Sequence, residues 1–140
     1  MPDRRADVLD EDLISRVVDR FYGLAREDEI VGPVFRRIVP DDRWKEHLAT
    51  IGTFWSSVLL GSGRYEGRPM AKHLAIVELD DLHFERWLSL FRETACELCS
   101  PEIAAIFVER SLKIANAFRI NIRMRRGEDL IHLRPLGGQP

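Results

Sequence analysis

Apolar residues recur every three to four positions along almost the whole chain, and that spacing excludes most folds at once. In "LISRVVDRFY" the residues Leu13, Ile14, Val17, Val18, Phe21 and Tyr22 fall on one stripe of a helix, with Asp10 placed to cap its start. The stripe is expected to end near Asp28. Gly32 and Pro33 in "EIVGPVF" then break the period as a turn, with Phe35 just beyond it. A second helix is predicted from Asp41 to Leu60, with Trp44, His47, Leu48, Ile51, Phe54, Trp55 and Val58 on its stripe. The glycines of "GSGRYEGRP" mark a loop, and Pro69 suits the first position of a short helix whose stripe holds Met70, His73, Leu74 and Val77. From Asp80 to Leu98 the stripe is Phe84, Trp87, Leu88, Phe91, Ala95 and Leu98. "SPE" at Ser100 opens the last helix, with serine as cap, proline first and an acid in the first turn. No segment alternates as a strand does, so the fold class is all-α with about five main helices.

With 140 residues the chain is expected to form a single domain, its core spanning about 11–124 and residues 127–140 a mobile tail that includes His132. Hydrophobic residues make up 45% and charged residues 31%, an ordinary water-soluble balance. A net charge of −2 gives no field that would draw nucleic acid or an anionic membrane. The charged start "MPDRRADVLDEDL" lacks the apolar centre of a secretory signal, so the expected location is the cytoplasm. Cys96 and Cys99 close a helical pattern without further metal-ligand spacing nearby, and both are read as packing residues. The acids are read as lying mostly on exposed helix faces. Arg119, Arg123, Arg125 and Arg126 are read as a solvated helix end whose charge suits the dipole.

The stripes are unusual in what they carry. Phe21, Tyr22, Phe54, Trp55, Phe84, Trp87 and Phe91 nearly all face inward, and His47 and His73 join them. Singly, each polar tip is best read as a satisfied core residue. Together, four polar tips from four helices (Tyr22, His47, His73 and Trp87) suit a flat apolar ligand between helices, and a haem uses all of them. A ligating histidine needs an acceptor for its second nitrogen, and the Pro69 carbonyl lies four residues before His73. A diatomic ligand on ferrous iron gains negative charge, which the Tyr22 hydroxyl or the Trp87 indole would stabilise by about 1.5–3 kcal/mol per bond.

The blocks "FYGLAREDEIVGPVF", "WKEHLATIGTFWSSVLLGSGRYEGRPMAKHLAI", "HFERWLSLF" and "ERSLKIANAF" resemble the group III truncated haemoglobins, small bacterial globins with a two-over-two helical sandwich around one haem. The resemblance runs from about Leu13 to Phe118. It implies His73 as the iron ligand and Tyr22, His47 and Trp87 as the distal residues, with His47 able to open or close the pocket. It implies Phe35, Ile51, Phe54 and Trp55 against the haem, Leu74, Ile76 and Phe84 on the proximal side, and Arg68 or Lys72 either at a propionate or in solvent. Function follows as binding of oxygen, nitric oxide or carbon monoxide on haem b. Nitric oxide dioxygenation or peroxidase-like turnover would need an unidentified reductase as partner. A form with His47 and His73 both on iron stays open, and the competing class is a haem-free helical module that docks a partner protein.

Overall fold

The computed structural model describes residues 5–63, 79–128 and 136. The predicted short helix with Pro69 and His73 lies outside the described residues, as do Arg68, Lys72, Leu74, Ile76 and His132.

Five α-helices stand among the described residues: α1 Glu11–Glu27, α2 Gly32–Ile38, α3 Trp44–Leu60, α4 Asp81–Leu98 and α5 Pro101–Arg125. The first begins as its sequence dictates. The Asp10 carboxylate accepts the Leu13 N–H at 2.9 Å, filling one of the donors a helix start leaves bare. Its apolar stripe is buried throughout, from Leu13 to Ala25. Helix α1 packs on α2, α3 and α4, and α4 packs on α5, which yields two helix pairs crossing in a sandwich.

Where the pairs meet, the aromatic stripes form one ring stack. Phe91 is its hub, with Trp55 stacked at 5.1 Å, Trp87 stacked at 5.4 Å and Phe21 edge-on at 5.0 Å. Phe107 of α5 closes it from below at 6.1 Å. Offset and edge-to-face rings add attraction beyond the area they bury. The stack fixes how far α1 stands from α4, and so how far Tyr22 stands from Trp87. A second buried cluster holds Phe84, Leu88, Ala115 and Ile122.

Several sequence expectations are corrected. The stretch at Gly32 and Pro33 is the start of α2, because Pro33 suits a first helical turn, and Phe35 lies inside that helix. Gly32 is required there: a Cβ would meet the Arg26 carbonyl at 2.6 Å. Residues Asp41–Arg43 form a 3₁₀ turn, so α3 proper begins at Trp44. Ser100 caps α5 by position, but its side chain makes no capping bond; its own N–H donates to the Ala6 carbonyl at 2.7 Å. Ala6 in turn bridges to Cys99, so residues before α1 join the fold. Cys99 is buried as expected, whereas Cys96 is exposed on the outer face of α4.

The basic end of α5 is solvated only in part: Arg125 and Arg126 are exposed, whereas Arg119 and Arg123 are drawn into the fold. Arg119 is 6% exposed, and its Nε and Nη2 grip both oxygens of Asp81 at 2.7 Å. Arg123 reaches the same carboxylate at 2.8 Å and Glu128 at 2.9 Å, and Arg126 donates to the Leu79 carbonyl at 2.7 Å. This two-pronged geometry is what guanidinium groups form with carboxylates. It locks the start of α4 to the end of α5. Arg119 first, then Arg123, hold the Asp81 carboxyl well below the usual range, at about 2, against the upward push of partial burial. The acids are thus not all on solvated faces. Leu136, in the segment expected to be a mobile tail, is buried in the second cluster, and its N–H donates to Asn116 Oδ1 at 2.7 Å.

Candidate functional site

Tyr22 lies near the end of the buried row of α1 and stands at the junction of four elements. It is 7% exposed. Its ring meets Phe35 of α2 edge-on at 5.6 Å and His47 of α3 edge-on at 6.1 Å. Its hydroxyl is hydrogen-bonded to Trp87 of α4. An indole N–H only donates, so the phenol oxygen is the acceptor. The phenol therefore keeps its own proton for another partner. Burial pushes the Tyr22 phenol above its ordinary range, while the bond from Trp87 pulls the other way, so it remains protonated at any physiological pH.

Trp87 reaches Tyr22 because both are braced by the same core. Phe21 lies edge-on to Tyr22 at 4.6 Å and to Trp87 at 5.4 Å. One residue before Trp87, Arg86 donates to Asp28 at 2.7 Å. The Asp28 side chain is 6% exposed and also accepts the N–H groups of Ile30 and Val31, at 2.9 and 3.1 Å. Burial pushes this carboxyl upward, but the bonds from Val31, Arg86 and Ile30 outweigh it, and the net effect is a lowered value. A carboxylate so held ties the end of α1 to the middle of α4.

His47 lies one turn into α3, with its Nε2 enclosed by protein. Trp44, three residues earlier on the same helix face, tilts against it at 5.8 Å, and Phe35 closes on Trp44 at 6.3 Å. Further along α3, Ile51 and Phe54 are half-buried against the main core, as is Leu48. Trp55 is 2% exposed and belongs to the ring stack, while Phe84 sits with Leu88 in the second cluster. The structure thus brings Tyr22, Phe35, His47 and Trp87 together, beside the half-buried face of Ile51 and Phe54. Trp44 and the Asp28–Arg86 pair were not singled out as site residues from sequence. For Trp44 the signal was present, since a spacing of three puts it beside His47.

An all-helical sandwich with two donors and a histidine converging near one helix is the arrangement expected of a two-over-two globin. A family model for bacterial-like globins matches residues 9–123. The group 3 truncated hemoglobin of Campylobacter jejuni is 35% identical over 115 residues, 81% of this chain and 91% of that protein. The crystal structure of group III truncated hemoglobin from Campylobacter jejuni superposes with a TM-score of 0.80 at 33% identity, over 84% of this chain and 94% of that one. The 2/2 hemoglobin of Synechococcus sp. PCC 7002, solved in the cyanomet state with covalently attached heme, shares the fold with a TM-score of 0.64 at 24% identity, over 80% and 90%. The chain belongs to the bacterial-like globins and, within them, to the group III truncated haemoglobins.

Globins bind haem, and haem-based binding of a diatomic ligand comes with that membership. The residues in place fit such a group. Half-buried Ile51 and Phe54 of α3 supply apolar surface for a flat ring, and the Tyr22 phenol, bonded to Trp87, lies against the His47 imidazole. Among the described residues no helix is long and apolar enough to cross a membrane, and no cluster of three or more acids, histidines and cysteines offers a separate metal site.

Proposed function

We propose that this globin holds haem b on His73 as one globin unit of about residues 11–124, and that Tyr22, Trp87 and His47 form its distal pocket. Phe35, Ile51 and Phe54 would flank the ring, with Trp55 behind them and Leu74, Ile76 and Phe84 on the proximal side. Arg68 or Lys72 would meet a propionate. The observation that carries the reading is the bond from Trp87 to Tyr22. It uses the lone pair of the phenol and leaves the O–H as a donor of fixed direction, next to His47 and within an apolar enclosure.

A preorganised donor in a dry site is worth more than the same donor in water. Such a pocket slows the escape of dioxygen, which favours oxidation of nitric oxide over carriage and release. Bound haem would supply the redox chemistry for that reaction, in which dioxygen and nitric oxide would leave as nitrate, and a reductase would have to return the electron spent. The same protonated phenol favours a peroxidase-like reaction by assisting peroxide cleavage, as general acids do. Such a reductant supply fits residence in the cytoplasm.

Colour tests the first part. Purified or haemin-reconstituted protein should show a Soret band that His73→Ala loses; colourless protein that takes up no haemin would overturn the assignment and favour a haem-free module. Stopped-flow mixing tests the second. The oxy form should consume nitric oxide, or the ferric form peroxide, within milliseconds, and failure of both removes the catalytic reading.

A further inference from the structure

The imidazole of His47 contacts two rings, edge-on to Tyr22 at 6.1 Å and tilted against Trp44 at 5.8 Å. What holds Trp44 is a cation. The guanidinium carbon of Arg26 sits 4.6 Å above the Trp44 ring centre, and the edge of that indole meets Phe35. Arg26 is well placed to stay there. It lies in the last turn of α1, its side chain is 20% exposed, and it also pairs with Asp41, the first residue of the 3₁₀ turn that feeds α3. Its backbone carbonyl accepts Arg36 Nη1 at 2.5 Å, and Gly32 packs against that carbonyl too closely for any side chain. The sequence thus builds a chain of contacts from the end of α1, through a planar cation and an indole, to the histidine beside the phenol.

We propose that Arg26 and Trp44 are a latch on His47: they are positioning residues that set how often the histidine swings aside to admit a ligand. The proposal rests on the reading of His47 as the residue that opens the pocket. A swing of the imidazole breaks its contact with the indole beside it, so the hold on the indole bears on that movement. The indole is pinned by the Arg26 guanidinium, which is tied to the start of α3 through Asp41, while the Arg26 backbone carbonyl is held by Arg36 of α2. Removing the cation unpins the indole without touching the Tyr22–Trp87 bond, so entry should change while retention does not. That separation is what marks a latch as distinct from a donor.

Flash photolysis of the carbon monoxide complex of the whole protein reads both quantities. Arg26→Met keeps most of the stem and removes the charge; it should raise the bimolecular association rate roughly two- to five-fold, as expected for loss of a partly exposed cation–π contact. Asp41→Asn, on an exposed side chain, should move the rate in the same direction by less, and Arg26→Lys should fall between Arg26→Met and wild type. The oxygen dissociation rate and the position of the Soret band should stay near wild type in all three. On a His47→Ala background Arg26→Met should add nothing, because no gate is left to latch. If His47→Ala speeds entry while Arg26→Met and Asp41→Asn leave it unchanged, the latch is wrong and the gate stands. If Arg26→Met acts equally with and without His47, it acts by loosening α3 and the latch is again wrong. If His47→Ala does not alter entry, the gate reading fails and the latch falls with it.

Discussion

Helices α1 and α3 are both 17 residues long and both carry an apolar stripe, yet they are used differently. The first buries seven residues of its stripe and starts on a side-chain cap. The second buries only Trp55 and Ser56, and starts without a side-chain cap, through a 3₁₀ turn. A helix that buries its stripe supplies stability. A helix that leaves an apolar stripe half-buried can offer it to something other than its own core, and on the function proposed above that is the wall of the ligand site. An apolar pattern alone does not separate the two cases; the caps and the degree of burial do.

That contrast fails if truncating matched side chains costs the same on both helices. Phe21→Ala removes a fully buried ring that braces Tyr22, Trp87 and Phe91. It should cost about 3–5 kcal/mol of unfolding free energy, and lower the thermal midpoint by on the order of 10 °C or more. Phe54→Ala should cost about half as much in the apoprotein, since its ring is half-buried, but it should speed haem loss to an acceptor globin. Equal costs in denaturant unfolding would make α3 a strut like α1.

The second test moves to where the two helices face each other. Tyr22→Phe removes only an oxygen, so the fold should lose about 1 kcal/mol for the Trp87 N–H left without its acceptor. Oxygen dissociation, by contrast, should speed roughly ten- to hundred-fold. An unchanged rate in stopped-flow replacement by carbon monoxide would shift the principal donor to Trp87.

The frame was far more legible in the sequence than the joints that lock it. Asp10, the period of α1 and the inward aromatics follow from local spacing, and spacing also placed Tyr22, His47 and Trp87 on inward faces. The pairing of Asp81 with Arg119 spans 38 positions, and nothing local marks either residue as a partner. Cations at a helix end satisfy the dipole whether solvated or paired, so composition alone favoured the solvated reading. Cys96 and Cys99 looked alike because both lie near the apolar stripe, yet the chain leaves the helix at Cys99 and turns only that one inward. Arg26 escaped notice because a cation in the last turn of a helix already has a sufficient local reason. His73 was reached through its stripe and its motif, and it lies outside the described residues.

Acid tests the joints themselves. Asp28 and Asp81 both titrate below their ordinary values in the folded chain, the latter at about 2. The unfolded chain therefore binds more protons than the folded one between about pH 4 and pH 2. The stability these groups supply is present above that window and disappears as the pH falls through it. The unfolding midpoint should drop across the window, and Asp28→Asn should flatten the drop while lowering the midpoint at neutral pH, because it weakens the tie between α1 and α4. A midpoint equally pH-dependent in Asp28→Asn would move the effect to Asp81 and the α4–α5 joint.

The smallest expected effect separates a cap by position from a cap by bond. Asp10 and Ser100 stand at equivalent places before α1 and α5, and their sequences announce both equally. Only Asp10 places a side-chain oxygen on a helix N–H. Asp10→Ala should therefore cost about 1 kcal/mol, and Ser100→Ala less than about 0.5 kcal/mol, in denaturant unfolding. The start of α5 has another anchor, because the Ser100 N–H is spent on Ala6 and draws the chain before α1 alongside Cys99. If Ser100→Ala costs as much as Asp10→Ala, its hydroxyl caps α5 in solution, and the backbone bond to Ala6 is not what fixes that end.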